Sequence, residues 1–348
     1  MRLCRSAAAC SGLLLLLPAL AACGDDEAGI AVGDLVDARQ DDQFVEGGTA
    51  STVALPIGRL EISAGKPTTT LTAEDTRQLE AVDAPAGSTF VPITWQYDAG
   101  TFGDYTDYLD TDAKPVIDLV ADKATYRLPA PKATGEGAES FYALVAGDAE
   151  DASLSVDFDG VTQTVDLATG DRVEGAATPL YKLKPRKDRT ASCTTDSKFK
   201  LSIARSRLPD YACNVTRAAR IPYAGGAWAE KGKTWLVVTL STTLRRYDLL
   251  SEDLRSGAIY VATSAETSFR LGKVKPTKVL EDKELTACPD EEQGGCTKVF
   301  HLVFAVDGDS SSTLRMDQTY DLALSSVWGG GEGRDSLELT NKATIKLR

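Results

Sequence analysis

Short runs of alternating apolar and polar residues dominate this chain from about Thr52 onward. In residues 154–158 every second side chain is apolar, as in a strand with one buried face. Asp159 and Gly160 follow, and residues 163–167 alternate again. An Asp-Gly pair between two such runs predicts a β-hairpin. Because no segment shows a helical period beyond about two turns, the sequence predicts an all-β fold.

The second half of the chain repeats part of the pattern of the first half. Three matches occur in the same order, namely 87–95 with 232–240, 126–128 with 269–271, and 141–145 with 300–304. The copies differ by an insertion in the second, which contains Cys288 and Cys296. A duplicated unit with many short strands and turns predicts two tandem immunoglobulin-like β-sandwiches.

The first 23 residues carry the features of an export signal. Arg2 and Arg5 precede an apolar run from Leu13 to Ala22, which is too short to span a bilayer. The last four residues before Gly24 resemble a bacterial lipobox. That resemblance implies that residues 1–22 are a lipoprotein signal peptide and that Cys23 carries the lipid. It places the protein on the outer face of the cell membrane, and the sequence leaves open which membrane this is. The alternative is an ordinary signal peptide cleaved near Ala22.

Composition divides the rest of the chain. Residues 23–51 are rich in Gly, Asp, Ala and Gln, which predicts a flexible tether. Residues 52–178 are predicted as an acidic sandwich, residues 179–192 as a basic linker, and residues 193–348 as a second sandwich with disulfides.

Charge is distributed unevenly between the two predicted domains. Residues 23–178 contain 30 acidic and 9 basic side chains, whereas residues 179–348 contain 21 acidic and 27 basic ones. Such asymmetry suggests different neighbours for the two halves. The basic half could meet an anionic polymer. The alternatives are simple solubility, or the two halves docking on each other.

Four cysteines remain after the signal and the lipidation site, and all lie in the second half. In an exported protein an even number of cysteines indicates disulfides. The spacings favour Cys193 with Cys213 and Cys288 with Cys296, since each pair closes a short loop. A zinc site is the alternative, but the chain lacks the Cys-x-x-Cys spacing and the histidines that such sites use.

The usual catalytic patterns are incomplete. His301, the only histidine, lies in a strand-like run without a Gly-x-Ser-x-Gly motif. Ser197 and Lys200 have Ser-x-x-Lys spacing without the companion motifs of penicillin-binding enzymes. The glycine-rich segment 329–333 lies between strand-like runs, which favours a hairpin over a phosphate-binding loop. We therefore predict no enzymatic activity and no cofactor.

Two further sets of side chains are candidates for binding. Four aspartates lie within residues 104–112, where they could form a solvated loop or bind calcium, although without EF-hand spacing. The aromatic residues predicted near turns are candidates for interaction surfaces. Four of them are singled out: Tyr105, Tyr108, Trp228 and Trp328. The alternative for these aromatics is packing against the edge of a sandwich.

The lipobox and the repeated strand at Gly87 and Gly232 together resemble the telokin-like, immunoglobulin-type ectodomains of bacterial surface lipoproteins. This resemblance implies a non-catalytic module that binds or scaffolds another envelope protein. The alternative function is binding of a cell-wall or anionic (carbohydrate) polymer through the basic C-terminal half. We expect no nucleic-acid partner. The sequence does not identify the ligand or the oligomeric state.

Overall fold

The computed structural model describes residues 29–131, 137–183, 190–193, 197–201, 209–289, 295–307 and 312–347, with the backbone alone for Asp104 and Leu201. These residues form two antiparallel β-sandwich domains with a few turns of 3-10 helix. The prediction of an all-β fold with two sandwiches is confirmed. The predicted signal peptide, residues 1–22, and the predicted lipidation site Cys23 lie outside the described residues.

The first domain is built from twelve strands and two 3-10 helices. They are β1 (Leu35–Asp37), β2 (Thr49–Leu55), β3 (Gly58–Ala64), β4 (Thr70–Leu71), β5 (Val82–Asp83), β6 (Ser88–Asp98), η1 (Ala99–Tyr108), β7 (Val116–Ala121), β8 (Ala124–Arg127), β9 (Glu139–Ala146), β10 (Ser153–Phe158), β11 (Val161–Asp166), β12 (Arg172–Val173) and η2 (Gly175–Lys182). Sheet I has the order β1-β9-β6-β3-β2, and sheet II has the order β12-β11-β10-β7-β8. The short strands β4 and β5 pair with each other.

The alternating pattern of β10 explains how sheet II faces the core of this domain. Leu154, Val156 and Phe158 are fully buried against sheet I. Burial of each such side chain contributes about 1.5–3 kcal/mol. Asp159 and Gly160 both have positive φ and join Phe158 of β10 to its partner in β11. The hairpin predicted from the Asp-Gly pair is therefore confirmed, since a two-residue turn of this type needs positive φ at both positions.

The second domain contains eleven strands within the described residues. They are β13 (Ala191–Ser192), β14 (Ser197–Leu201), β15 (Asp210–Ile221), β16 (Tyr223–Ala224), β17 (Ala227–Trp228), β18 (Thr234–Leu250), β19 (Gly257–Leu271), β20 (Lys278–Glu281), β21 (Cys296–Val306), β22 (Thr313–Trp328) and β23 (Ser336–Lys346). The strands β16 and β17 form a separate small hairpin.

The long strand β18 connects the two sheets of this second sandwich. Its first part, from Thr234 to Leu244, pairs with β21 in sheet III, which has the order β13-β15-β18-β21-β20. Its last part, from Tyr247 to Leu250, pairs with β19 in sheet IV, which has the order β18-β19-β22-β23-β14. The two sheets enclose an apolar core between them.

The predicted repeat corresponds to one shared strand pair. The segment at Gly87 leads into β6, which pairs with β9, and the segment at Gly232 leads into β18, which pairs with β21. The second match does not belong to this pair, because residues 126–128 lie at the end of β8 in sheet II and residues 269–271 end β19 in sheet IV. The domains also differ in topology, since only the second has a strand shared by both sheets. What they share is therefore the central pair.

The described part of the predicted flexible tether, residues 29–51, is folded, so this prediction is wrong there. Strand β1 pairs with β9, and Ala38 is fully buried. The Gln43 side chain donates a hydrogen bond to the Tyr142 hydroxyl at 2.8 Å, and the Phe44 ring packs edge-on against Tyr142. A few apolar residues in this polar segment thus suffice to cover the outer face of sheet I.

The predicted basic linker, residues 179–192, is also wrong where it is described. Its first residues belong to η2, where Leu180 is buried and the Tyr181 hydroxyl donates to Gln163 at 2.6 Å. Ala191 and Ser192 already pair with β15 of the second domain. Net basic composition did not reveal these contacts, because they depend on single side chains such as Leu180 and Tyr181 and on strand pairing at Ala191 and Ser192.

Both predicted disulfides are confirmed. Cys193 is bonded to Cys213, and Cys288 is bonded to Cys296. The first lies in the core between the two sheets, where both cysteines are buried. The second closes the insertion that distinguishes the second predicted repeat, and Cys296 begins β21.

Candidate functional site

The two domains meet at an apolar junction, and three of the four predicted interaction aromatics lie there. The helices η1 and η2 of the first domain pack against the face of sheet III that points away from its own core. The sheet III side chains in this cluster are small or β-branched: Ala219, Ile221, Val237 and Val303. They alternate along their strands with core residues such as Val238 and Leu302. Sheet III is therefore buried on both faces where η1 covers it.

Tyr108, at the end of η1, lies at the centre of the junction. Its side chain is 0% exposed, and its hydroxyl is hydrogen-bonded to the Thr239 hydroxyl of β18. Its ring packs edge-on against His301, with 5.4 Å between the ring centroids. Burial raises the pKa of Tyr108 to about 12. The hydroxyl therefore stays protonated at neutral pH and serves as a hydrogen-bonding group.

His301 belongs to the same hydrogen-bonded chain. Thr239 Oγ1 lies 3.0 Å from His301 Nδ1, and His301 Nε2 lies 3.6 Å from Asp282 Oδ2. The backbone N–H of Leu285 donates to Asp282 and lowers the pKa of that carboxyl, and His301 adds to the effect. Thr, His and Asp in this order resemble a nucleophile, a base and an orienting acid. The Thr239 oxygen, however, is covered by Tyr108, and His301 is only 7% exposed, which leaves a substrate no access.

A cleft beside the junction is small and apolar. It is lined mainly by Phe102, Tyr105, Leu109 and Leu180 from the first domain and by Ile221 and Tyr223 from the second. Ligand pockets usually combine apolar walls with a few precisely placed polar groups. His301 and Asp282 do not line this cleft, so it brings no titratable pair to a bound molecule.

Charged side chains cross the junction in pairs. Asp107 lies 3.8 Å from Arg217 of β15, and Asp110 forms an ion pair with Lys278 of β20. The Arg217 guanidinium also lies over the Tyr105 ring, 5.9 Å from its centroid. Part of the acidic segment 104–112 thus meets basic residues of the second domain. This supports the alternative that the uneven charge reflects docking of the two halves on each other. Among the described residues, no group of His, Cys, Asp or Glu could hold a metal ion.

The small hairpin formed by β16 and β17 reaches from the second domain into the first. The Tyr223 hydroxyl lies 3.0 Å from Thr111 and 2.9 Å from Asp159, and the Trp228 indole donates to the Phe158 carbonyl at 2.9 Å. The hairpin backbone also bonds to the end of η1, because Gly225 N–H donates to the Tyr108 carbonyl at 2.7 Å. Each domain therefore inserts one segment into the other.

The four predicted interaction aromatics lie in different environments. Tyr105 and Tyr108 are buried in the junction, and Trp228 is half-buried there, so these three bind the other domain of the same chain. Trp328 alone is exposed, at 39%, at the end of β22. It is paired with Gly257 of β19, and exposed Val327 precedes it in β22. Sequence reasoning counted Tyr223 among the aromatics near turns without singling it out, and it missed Thr239. The Gly225-Gly226 pair before Trp228 is a turn signal that could have identified the hairpin.

The glycine-rich segment 329–333 connects β22 to β23, as the hairpin prediction requires. Ser197 and Lys200 lie in β14 at the edge of sheet IV. Among the described residues we find no helix of the length and apolarity that a membrane span needs.

Comparison of the chain with protein-family models, with curated proteins and with solved structures finds no match.

Proposed function

We propose that this chain is a non-catalytic interaction module of the cell envelope. Lipid on Cys23 holds it at the outer face of the membrane, and its second domain is presented to a partner protein. The proposal combines the lipobox resemblance with the arrangement of the two domains.

The observation that carries the proposal is the interlocked junction. Tyr108 and the ion pair of Asp110 with Lys278 hold the first domain on sheet III, while Tyr223 and Trp228 hold the second domain on the first. A junction with contacts of this number and burial fixes the two sandwiches as one unit. This suits a spacer or scaffold, whereas an enzyme with a cleft between domains needs an accessible site there.

The ends of the strands also support a presenting role. The chain enters the first domain near Gly33, beside the end of β9 that pairs with the start of β6. Strand β6 has 11 residues and ends at η1 in the junction, a run of about 36 Å at roughly 3.3 Å per residue. Strand β18 has 17 residues and leads from the junction to the turn that carries Leu254, about 56 Å by the same measure.

Three exposed apolar residues lie at that far end, which we call the tip: Leu254 in the turn after β18, and Val327 and Trp328 at the end of β22. Tryptophan is enriched in the energetically important part of protein interfaces. The tip is therefore the surface that we assign to the partner protein.

The test uses the full chain in bacterial cells with an export system for lipoproteins. The native chain should fractionate with membranes, whereas Cys23→Ser should be released from them. A photo-crosslinking residue at Trp328 should give a discrete cross-linked band. The same residue at Thr169, an exposed turn of the first domain, is the matched control. Equal membrane retention of the native and Cys23→Ser chains, or no band at Trp328 beyond that at Thr169, would contradict the proposal.

A further inference from the structure

One exposed face of sheet IV concentrates basic side chains. Strands β19, β22 and β23 alternate strictly here, so that one set of side chains enters the core and the next points to solvent. On the solvent side, five basic residues lie near one end of the sheet, and we call them the cationic face: Lys198, Arg270, Arg315, Lys342 and Lys346. All five are exposed.

The strand register places like charges directly opposite each other on this face. Arg270 of β19 is paired with Arg315 of β22, and Lys198 of β14 is paired with Lys342 of β23. Side chains at such positions are about 5 Å apart at Cβ, and like charges there destabilise the sheet. Asp317, 3.9 Å from Lys342, is the one acid that forms an ion pair with the face within the described residues. The side chains of Asp317 and Lys342 are both largely exposed.

Several basic residues elsewhere in the second domain form ion pairs. Arg217 and Lys278 pair with acids of the first domain, and Lys298 pairs with Glu281. In contrast, Arg270 and Arg315 have no ion-pair partner in the described part of the chain. On one side of the sandwich, Arg217 and Lys278 therefore form ion pairs with the first domain. On the opposite side, Arg270 and Arg315 are exposed to solvent.

We propose that the cationic face binds an acidic glycan or sugar-phosphate polymer. This deepens the proposed function, on which it rests, by naming a second binding partner for the module. The cations are separated by about 5 Å across strands and about 7 Å along them, so one polyanion chain can contact several at once. Binding removes the repulsion between Arg270 and Arg315, because each then faces a negative group.

The other side chains of this face favour a polyhydroxylated polymer over a nucleic acid. Between the cations lie the hydroxyl side chains of Ser268, Thr340 and Thr344, which can hydrogen-bond to sugar hydroxyls. At the outward positions of the described strands of sheet IV beside these cations no aromatic side chain occurs. Single-stranded nucleic acid is normally held by bases that stack on such side chains.

The experiment measures binding of the purified full chain, in detergent, to polygalacturonate and to poly(glycerol phosphate). These two probes separate a carboxylate polymer from a phosphodiester polymer, and single-stranded DNA is the comparison. We expect binding to at least one of the two polymers that weakens steeply with salt, since screening shortens the reach of exposed charges. The variant Arg270→Ser with Arg315→Ser should bind about 30-fold more weakly, at roughly fivefold per removed charge.

The matched control is Lys231→Ser with Lys283→Ser, which removes the same charge from exposed positions of the second domain outside the face. It should bind within about twofold of the native chain. Equal losses in the two variants, no polymer binding by the native chain, or tighter binding to DNA would each overturn the proposal. The thermal unfolding midpoint of the Arg270 and Arg315 variant should be unchanged or higher, because repulsion between the two cations is removed. A lower midpoint would reveal a folding defect.

Failure here is distinguishable from failure of the proposed function. If the chain fractionates with membranes and cross-links through Trp328 but binds neither polymer, the proposed function stands. Only the proposal that the cationic face binds a polymer is then contradicted. A chain that binds polymer in detergent but is not membrane-bound in cells contradicts the envelope role instead.

Discussion

The hydroxyl groups of Tyr108 and Thr239 are hydrogen-bonded to each other across the two domains, at the buried centre of their junction. Thr239 is at the same time within 3.0 Å of His301 Nδ1. One threonine thus connects an aromatic residue of the first domain to the only histidine of the chain. Thr239 and His301 have the geometry of a nucleophile and its base, but here they belong to the contact that joins the two sandwiches.

Substitution of Tyr108 should separate the contribution of its hydroxyl from that of its ring. Tyr108→Phe keeps the edge-on contact with His301 and removes the hydrogen bonds of the hydroxyl to Thr239 and Arg217, so the free energy of unfolding should fall by at least about 1 kcal/mol. Tyr108→Ala also leaves a cavity in the apolar cluster, and a loss of about 3–5 kcal/mol is expected. Urea denaturation followed by tryptophan fluorescence measures both values.

Tyr126→Phe is the control, because its hydroxyl accepts a hydrogen bond from Ala146 N–H within the first domain. A second measurement reports on the junction itself. The amides of Gly225 and Gly226 donate to the carbonyls of Tyr108 and Leu109, so their hydrogen exchange should accelerate in Tyr108→Ala and stay unchanged in Tyr126→Phe. Unchanged exchange in Tyr108→Ala would show that the junction does not depend on this residue.

The sequence predicted strands, hairpin and disulfides well because each has a local signal. Alternation marks β10 and β11, the Asp159-Gly160 pair marks their turn, and short cysteine spacing marks both bonds. The junction has no such signal. Tyr108 meets Thr239 across 131 positions of sequence, and nothing in either neighbourhood identifies the other. The sequence therefore offers the aromatic residues near turns only as candidates for an interaction surface or for packing against a sandwich edge, and three of the four lie between the domains.

The same reasoning explains the errors at residues 29–51 and 179–192. Both segments are polar on average, and average composition predicts flexibility. Their position is decided instead by a few side chains, such as Phe44 on Tyr142 and Tyr181 on Gln163. The cationic face illustrates the reverse case. Its residues are visible in the sequence only as a net excess of basic charge, and strand register brings them together.

Alkaline pH should weaken the junction. Burial is the main cause that raises the pKa of Tyr108 and of Tyr223 to about 12 in the folded protein. The ordinary tyrosine pKa is about 10, so the unfolded chain loses these protons first. The stabilising contribution is complete below pH 10 and is lost as the pH rises through about 12. We expect the urea midpoint to fall between pH 10 and 12, and to fall less steeply in Tyr108→Phe with Tyr223→Phe. Equal slopes in the native and double-variant proteins would contradict this assignment.

Removal of each disulfide should destabilise the second domain, and more so for the bond that closes the longer loop. The bonded cysteines are separated by 20 residues in one case and by 8 in the other. Loop-closure entropy then predicts losses of about 3.3 kcal/mol for Cys193→Ser with Cys213→Ser and about 2.5 kcal/mol for Cys288→Ser with Cys296→Ser. The buried position of the first pair adds to its loss, so the order of the two variants in urea denaturation is the firm expectation. The opposite order would show that loop entropy and burial do not govern these bonds.

Two glycines with the same backbone conformation offer a test of how closely the domains approach. Gly226 and Gly160 both have φ of +79° and both lie in two-residue hairpin turns. A Cβ at Gly226 would come within 2.9 Å of the Asp110 carbonyl oxygen of the first domain, whereas a Cβ at Gly160 meets nothing within 4 Å. Alanine at either site carries the strain of positive φ, about 1–2 kcal/mol.

Only at Gly226 must the backbone of the other domain, at Asp110, also move. That movement would lengthen the hydrogen bond from the Gly226 N–H to the Leu109 carbonyl. Gly226→Ala should therefore lower the free energy of unfolding by at least about 1 kcal/mol more than Gly160→Ala, the value of one hydrogen bond. Urea denaturation of the two variants in parallel measures the difference. Because φ is matched, the difference reports on the junction alone. Equal losses would mean that the hairpin is less closely seated against the first domain than its contacts indicate.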